Sequence, residues 1–230
     1  MHRRLHVGVK SMRRLPSITS DAPPNLARAR VNACPACVTA NAPHHSHTAR
    51  RYAESYPGRL IHADIAGPFD RSRIGGFHYL LVLVDDHSRF KFAYPLVARR
   101  DAPAIVRRFI ASFNALASRP GGSMRCVGTL HTDGAGEFTS HKFRDELADS
   151  LINKSESPPE VHALNGVAER AIRSIFSHVR ADLVASAAPK SFWPEATDHA
   201  VDILNRTTCP PHGRCTCLLY TSDAADDDTR

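Results

Sequence analysis

The order of apolar patterns predicts an α/β fold, a mixed sheet with helices packed against it. Three observations carry that prediction. Residues 59–97 hold three short apolar or alternating runs separated by Gly67-Pro68 and Gly75-Gly76, the signature of consecutive strands. Residues 101–118 then place apolar side chains at helical spacing, which reads as a crossover before the next strand. A further strand pattern at 125–131 is followed by three helical stretches, enough to cover a sheet.

Each element has its own signal. RLIHADIAG (59–67) is a short apolar run stopped by Gly-Pro, and FHYLLVLVDD (77–86) is nearly continuous in apolar residues, as in a buried central strand. RFKFAYPLV (89–97) alternates and pairs with it as a hairpin. The helix over 101–118 uses Ile105, Val106, Phe109, Ile110, Phe113 and Leu116 as its core stripe, Asp101 as cap and Pro120-Gly121-Gly122 as its stop. RCVGTLH (125–131) is the fourth strand, and 140–151 is a helix capped by Ser140. A weak extended piece lies near 152–155, then come helices over 165–186 and 191–205, the last with Trp193 in its first turn.

Composition narrows the class. The chain has 230 residues, 42% hydrophobic and 23% charged, a globular balance. No apolar run reaches the ~18 residues of a spanning helix, so no membrane partner is expected. MHRRLHVGVKSMRRLP lacks the apolar stretch of a secretory signal. Six cysteines, unevenly spaced, do not make a disulfide framework. Lys+Arg 30 against Asp+Glu 23 gives +7, a bias toward nucleic acid. Residues 217–230 (CLLYTSDAADDDTR) fit nothing before them and read as translated sequencing-adapter sequence. They carry four Asp and one Arg, −3 of the chain's +7, so the remainder stands at +10. The expected organisation is a zinc-binding unit over 1–48, a linker over 49–58, a core over 59–206 and a disordered tail over 207–230.

Three acids stand out by position. Asp64 lies mid-strand among apolar residues, Asp133 follows the fourth strand, and Glu169 lies on the long helix, with 68 and then 35 residues between them. A carboxylate in a central strand is costly to desolvate unless something pairs with it, and a divalent cation with hard-oxygen preference offsets that cost. Asp85 and Asp86 sit in similar surroundings, so strand position alone does not select the set. Arg170 and Arg173 follow Glu169 on the helix and are candidates for DNA phosphate. Lys91 and Lys142 are further cations.

The spacing of Asp64, Asp133 and Glu169 resembles the D,D(35)E triad of retroviral-type integrases. The words HADIAGPF (62–69), YLLVLVDDHSRFKFAYPL (79–96), LHTDGAGEF (130–138), NGVAERAIRSI (165–175) and FWPEATDHAVDILNR (192–206) resemble those of Copia-type (Ty1/Copia, Pseudoviridae) retrotransposon integrases, in the family's order over about 150 residues. The resemblance implies an RNase H-like five-stranded mixed sheet flanked by helices, preceded by a small helical HHCC zinc-binding domain, the whole a piece of a Pol polyprotein. It implies metal-dependent polynucleotidyl transfer: processing of the element's cDNA ends, then joining to target DNA. Asp64, Asp133 and Glu169 would be catalytic and would hold two Mg²⁺ or Mn²⁺ ions, and Asn165 would approach the DNA end. Double-stranded DNA and further copies of the chain are the implied partners, in the nucleus or a cytoplasmic virus-like particle. The chain departs from the family where Gly134-Ala135 stands for Asn-Gly and where Glu160–Leu164 lacks the usual Pro-Gln-Gln. A catalytically inactive remnant that only binds nucleic acid, and another RNase H-like nuclease or transposase, are the alternatives.

His2, His6, Cys34 and Cys37 form H-x₃-H-x₂₇-C-x₂-C. Two histidines and two cysteines suit tetrahedral Zn²⁺, and the resemblance implies such a site ahead of the core. His44, His45 and His47 compete as ligands.

Overall fold

The structure, a computed structural model, describes residues 9–18, 22–28, 54–117, 126–133, 136–156 and 166–207. Its elements are α1 (Val9–Ile18), β1 (Leu60–Ala66), β2 (Tyr79–Asp85), β3 (Lys91–Leu96), α2 (Ala102–Ala117), β4 (Thr129–Thr132), α3 (His141–Asp149), β5 (Asn153–Glu156), α4 (Gly166–Ser186) and α5 (Trp193–Thr207). The sheet has five strands in the order β3-β2-β1-β4-β5. β2 runs antiparallel to both its neighbours, β1 and β3, while β4 runs parallel to both β1 and β5. The mixed sheet expected from the sequence is thus the sheet observed.

β2 shows why the fold has three layers. Side chains alternate across a strand, so Leu81 and Leu83 enter one layer and Leu80, Val82 and Val84 the other. The first layer is closed by α2 and α3 through Val106, Phe109, Ile110, Phe113, Phe143 and Leu147. The second is closed by α4 and α5 through Val167, Ala171, Ile175, Val179, Trp193, Ala200 and Leu204. Each fully buried aliphatic side chain contributes about 1.5–3 kcal/mol from removal from water. β1 is different. Ile61, Ala63 and Ile65 fill the α2 layer, but the face toward α4 carries His62 and Asp64, which stand opposite Val84 and Val82.

Several boundaries differ from the sequence expectation. Asp101 does not cap α2 directly; it closes a 3-10 turn (Arg99–Asp101), and its Oδ2 accepts the Ala98 N–H at 3.0 Å. Leu116 is not core but 47% exposed, because it lies beyond the last turn that meets the sheet. The fourth strand is shorter than expected. Val127 is buried but its N–H donates to Asn114 Oδ1 at 2.8 Å rather than to a strand. Ser140 caps α3 as expected, its hydroxyl accepting the Phe143 N–H. Gly67 (φ +121°) is required at the end of β1, since a Cβ there would lie 2.7 Å from the His78 carbonyl oxygen.

Around the sheet, the 3-10 turn before α5 is tied to the β1–β2 loop. Arg73 N–H donates to the Ser191 carbonyl at 2.9 Å, and Trp193 Nε1 donates to the Asp70 carbonyl at 3.0 Å. At the N-terminal side, Met12, Leu15 and Leu26 pack on Ile203, so α1 is docked on α5. No described helix is long and apolar enough to cross a membrane.

Lys91 is not a surface cation. It is buried, with its Nζ donating to the Arg89 carbonyl at 3.0 Å. Burial, aided by the nearby Arg89 charge, pushes its pKa down to about 8. The folded state therefore disfavours the protonated form, and stability rises with pH between about 8 and the unfolded value near 10.5. Lys91→Met is expected to stabilise the fold at pH 7 by about 1–2 kcal/mol. Calorimetric melting at pH 7 and at pH 10.5 checks this, the gain shrinking at the higher pH. On its outer side, Lys91 is clamped by Asn205 of α5, whose Oδ1 accepts the Lys91 N–H (2.9 Å) and whose Nδ2 donates to the Lys91 carbonyl (2.8 Å).

Candidate active site

Parallel pairing of β1 with β4 matches His62 to His131 and Ala63 to Thr132. One step further along both strands come Asp64 and Asp133. Asp64 is still within β1, opposite Val82 of β2, and Asp133 lies just past the end of β4, while Glu169 stands in the first turn of α4. Asp64 is half-buried, Asp133 is half-buried and Glu169 is exposed. Asp64 Oδ1 accepts the Ile65 N–H at 2.8 Å.

The three acids are electrostatically coupled. Burial first, then the charge of Asp133 and of Glu169, push the Asp64 carboxyl up to about 6. The Ile65 N–H and the Arg99 guanidinium oppose that shift. Hard-oxygen donors that repel one another without a cation form the donor set that Mg²⁺ or Mn²⁺ prefers, and in that sense the residues fit the ions the resemblance implies. They are coupled but not gathered: among the described residues, no three His, Cys, Asp or Glu side chains come close enough to hold one ion.

Asp85 and Asp86 belong elsewhere. β2 runs antiparallel to β1, so its end carries them to the start of β1, where the Asp86 N–H donates to the Leu60 carbonyl. Asp85 accepts the Gly58 N–H (2.9 Å), the Ser88 N–H (2.8 Å) and the Ser88 hydroxyl (2.5 Å). Asp86 accepts from the Glu54 N–H (2.9 Å), His62 Nε2 (2.9 Å) and Arg89 Nη1 (3.2 Å). Both are fully buried. They clasp residues 54–58 to the sheet, with His87 Nδ1 adding a bond to the Glu54 carbonyl at 2.6 Å.

Arg170 and Arg173 are exposed on α4, and the Arg170 guanidinium folds back toward Gly166 at the helix start. Arg99 was not singled out by the sequence. Its charge acts on Asp64, its Nε donates to Glu137 at 2.5 Å, and it lies over the Tyr79 ring. His2, His6, Cys34, Cys37 and Asn165 lie outside the described residues.

Residues 54–160 match the family described as the integrase core domain. The chain is 33% identical over 152 residues to the retrovirus-related Pol polyprotein from transposon TNT 1-94 of Nicotiana tabacum, a match covering 66% of this chain and 11% of that polyprotein. It is 30% identical over 160 residues to the Pol polyprotein from transposon RE2 of Arabidopsis thaliana, covering 68% of this chain and 10% of the relative. The chain thus spans about a tenth of the length of these curated relatives. Among solved structures, a chain of the simian T-cell lymphotropic virus intasome in complex with PP2A regulatory subunit B56 gamma superposes with a TM-score of 0.59 at 17% identity. That match covers 95% of this chain and 72% of the other. The catalytic core domain of BIV integrase superposes with a TM-score of 0.52 at 17% identity, over 74% of this chain and 98% of that one. These likenesses give the fold, the RNase H-like sheet of integrase cores. The family match and the sequence matches to two plant polyproteins place the chain in the integrase family of Copia-type retrotransposon Pol polyproteins.

Proposed function

We propose that the chain is the DNA-joining part of its polyprotein, a DDE-type polynucleotidyl transferase that processes cDNA ends and inserts them into target DNA. The observation that carries this reading is the state of Asp64: a half-buried carboxyl raised to about 6 by burial and by two neighbouring acids. That is an arrangement with little structural use and a clear use as a cation-binding centre. Asp64, Asp133 and Glu169 are the residues that would hold Mg²⁺ or Mn²⁺ ions. When bound, such ions activate the attacking oxygen and neutralise the leaving one in an in-line displacement at phosphorus.

The chain's own residues do the rest. Arg170 and Arg173, one turn apart or less from Glu169, meet DNA phosphates, and Asn165 meets the DNA end. Arg99, joined to Glu137, keeps positive charge near Asp64 and limits how far its pKa rises. Double-stranded DNA is the substrate, and several copies of the chain act together to hold two ends. The polyprotein relatives support a nuclear or virus-like-particle setting.

The test is joining of a pre-processed duplex end to plasmid DNA in MgCl₂, with Asp64→Asn as control. Joining that depends on Mg²⁺ and on Asp64 supports the enzyme. A chain that is stabilised by Mg²⁺ yet joins no ends is the inactive remnant instead.

Zn²⁺ held by His2, His6, Cys34 and Cys37 is the companion proposal. Cys34→Ser is expected to remove about one zinc per chain, measured by atomic emission, while the sheet still melts cooperatively, since a structural zinc supplies folding energy chiefly to the unit that holds it. Unchanged zinc content in that variant refutes the site.

A further inference from the structure

The sequence writes His-x-Asp twice, at His62-Ala63-Asp64 and at His131-Thr132-Asp133. The sheet brings the two copies together. His62 and His131 are register partners on adjacent parallel strands, with ring centroids 5.4 Å apart in an edge-to-face arrangement. Both are buried. Side chains two residues apart share a face of a strand, so each ring sits directly behind one of the two aspartates.

Each ring is also held at its outer end. His62 Nε2 donates to Asp86 Oδ1 at 2.9 Å, and Asp86 is itself fixed by the Glu54 N–H and Arg89. His131 Nδ1 shares a hydrogen bond with Ser155 Oγ at 3.0 Å, on β5. A polar string therefore crosses the sheet from the end of β2 through β1 and β4 to β5, one layer behind the acids. It is not an economical way to fill a core. His62 is fully buried and its Nδ1 has no hydrogen-bond partner among the described residues, a cost that a valine or leucine would avoid.

We propose that His62 and His131 are a positioning pair that sets the spacing and orientation of Asp64 and Asp133. This rests on the reading of those aspartates as the reacting site. An apolar pair would be located by packing alone. Here each imidazole is located by a ring contact on one side and a hydrogen bond on the other, so β1 and β4 cannot shift relative to each other without breaking the string. Neither histidine touches substrate in this role.

The experiment uses the full chain and three variants. His62→Val and His131→Val remove the string but keep an apolar core, while His62→Gln keeps a donor that reaches Asp86. Amide hydrogen exchange is read without metal, and thermal melting is read across a MgCl₂ titration. In both valine variants, exchange at Ile65 and Asp133 is expected to rise by about 10-fold or more, with β2–β3 amides unchanged. The MgCl₂ midpoint should rise by a similar factor, and His62→Gln should restore both. Wild-type exchange and midpoint in the valine variants overturn the proposal. So does exchange that rises evenly over the whole sheet with a lower melting temperature, which marks the pair as merely structural. A wild-type chain with no MgCl₂ response refutes the catalytic reading, while the metal-free exchange result still decides the pair.

Discussion

Asp64→Asn is expected to melt higher than the wild type when no divalent cation is present. The wild-type carboxyl is raised from 3.8 to about 6 in the folded chain, so folding holds on to its proton. The stability this carries is full below pH 3.8 and is lost as pH rises through about 6. At pH 7.5 the ionised Asp64 weakens the fold by up to about 3 kcal/mol. Asparagine keeps the shape and removes the charge. A gain of about 1–3 kcal/mol, or roughly 3–8 °C for a chain of this size, follows at pH 7.5, shrinking to nothing near pH 4. Calorimetry at the two pH values reads it directly. The same variant should lose both the Mg²⁺-dependent rise in melting temperature and all strand joining. A variant that keeps a full Mg²⁺ response would remove Asp64 from the proposed centre.

Asp86→Ala should act in the opposite direction and more strongly. Burial alone would raise this carboxyl, but the His62 hydrogen bond, the Arg89 charge and the Glu54 N–H overcome it and hold the pKa at about 2. Truncation strands three donors at once, His62 Nε2, Arg89 and the Glu54 N–H. Removing one partner of a buried pair costs about 3–5 kcal/mol, a large part of the ~5–15 kcal/mol that holds a domain together. The pH signature also reverses. Asp86 contributes stability that is complete above pH 3.8 and is lost as pH falls through about 2. Wild-type acid unfolding should therefore steepen in that window, and the variant should lack that component. Urea melts at pH 7 and acid titrations of both proteins check the two statements. A loss below ~1 kcal/mol would mean that the clasp on residues 54–58 is not structural.

Much of the layered architecture was readable because burial writes periodicity. β2 reads as central because both its faces meet helices, and α2, α4 and α5 read as helices because one stripe of each meets the sheet. The ends were less readable. β4 starts only at Thr129 because Gly128 and Val127 place their N–H groups on Gly58 and Asn114, partners distant in sequence. The acids show the same divide. Asp64, Asp85 and Asp86 all follow apolar runs, and strand position could not rank them; the family spacing did. The structure supplies the physical difference. Asp85 and Asp86 stand beside the start of β1, where three backbone N–H groups, of Glu54, Gly58 and Ser88, donate to their carboxylates. Asp64 stands among other carboxylates. His62 and His131 escaped notice because a histidine in a strand reads as an ordinary strand residue; only the repeated His-x-Asp pointed to them.

The Asn205 clamp on β3 has a consequence for how copies of this chain behave at high concentration. β3 is an edge strand. Phe90 and Leu96 direct their carbonyls to β2-side partners, so the backbone polar groups of Phe92 and Tyr94 point to β2 with them and those of Lys91, Ala93 and Pro95 point away from it. Proline has no N–H to offer, and Asn205 occupies both polar groups of Lys91. Of the three outward residues only Ala93 keeps an N–H for a newcomer. An incoming strand would find one rung where a ladder needs several, so the β3 edge of the sheet is blunted against strand addition by another copy.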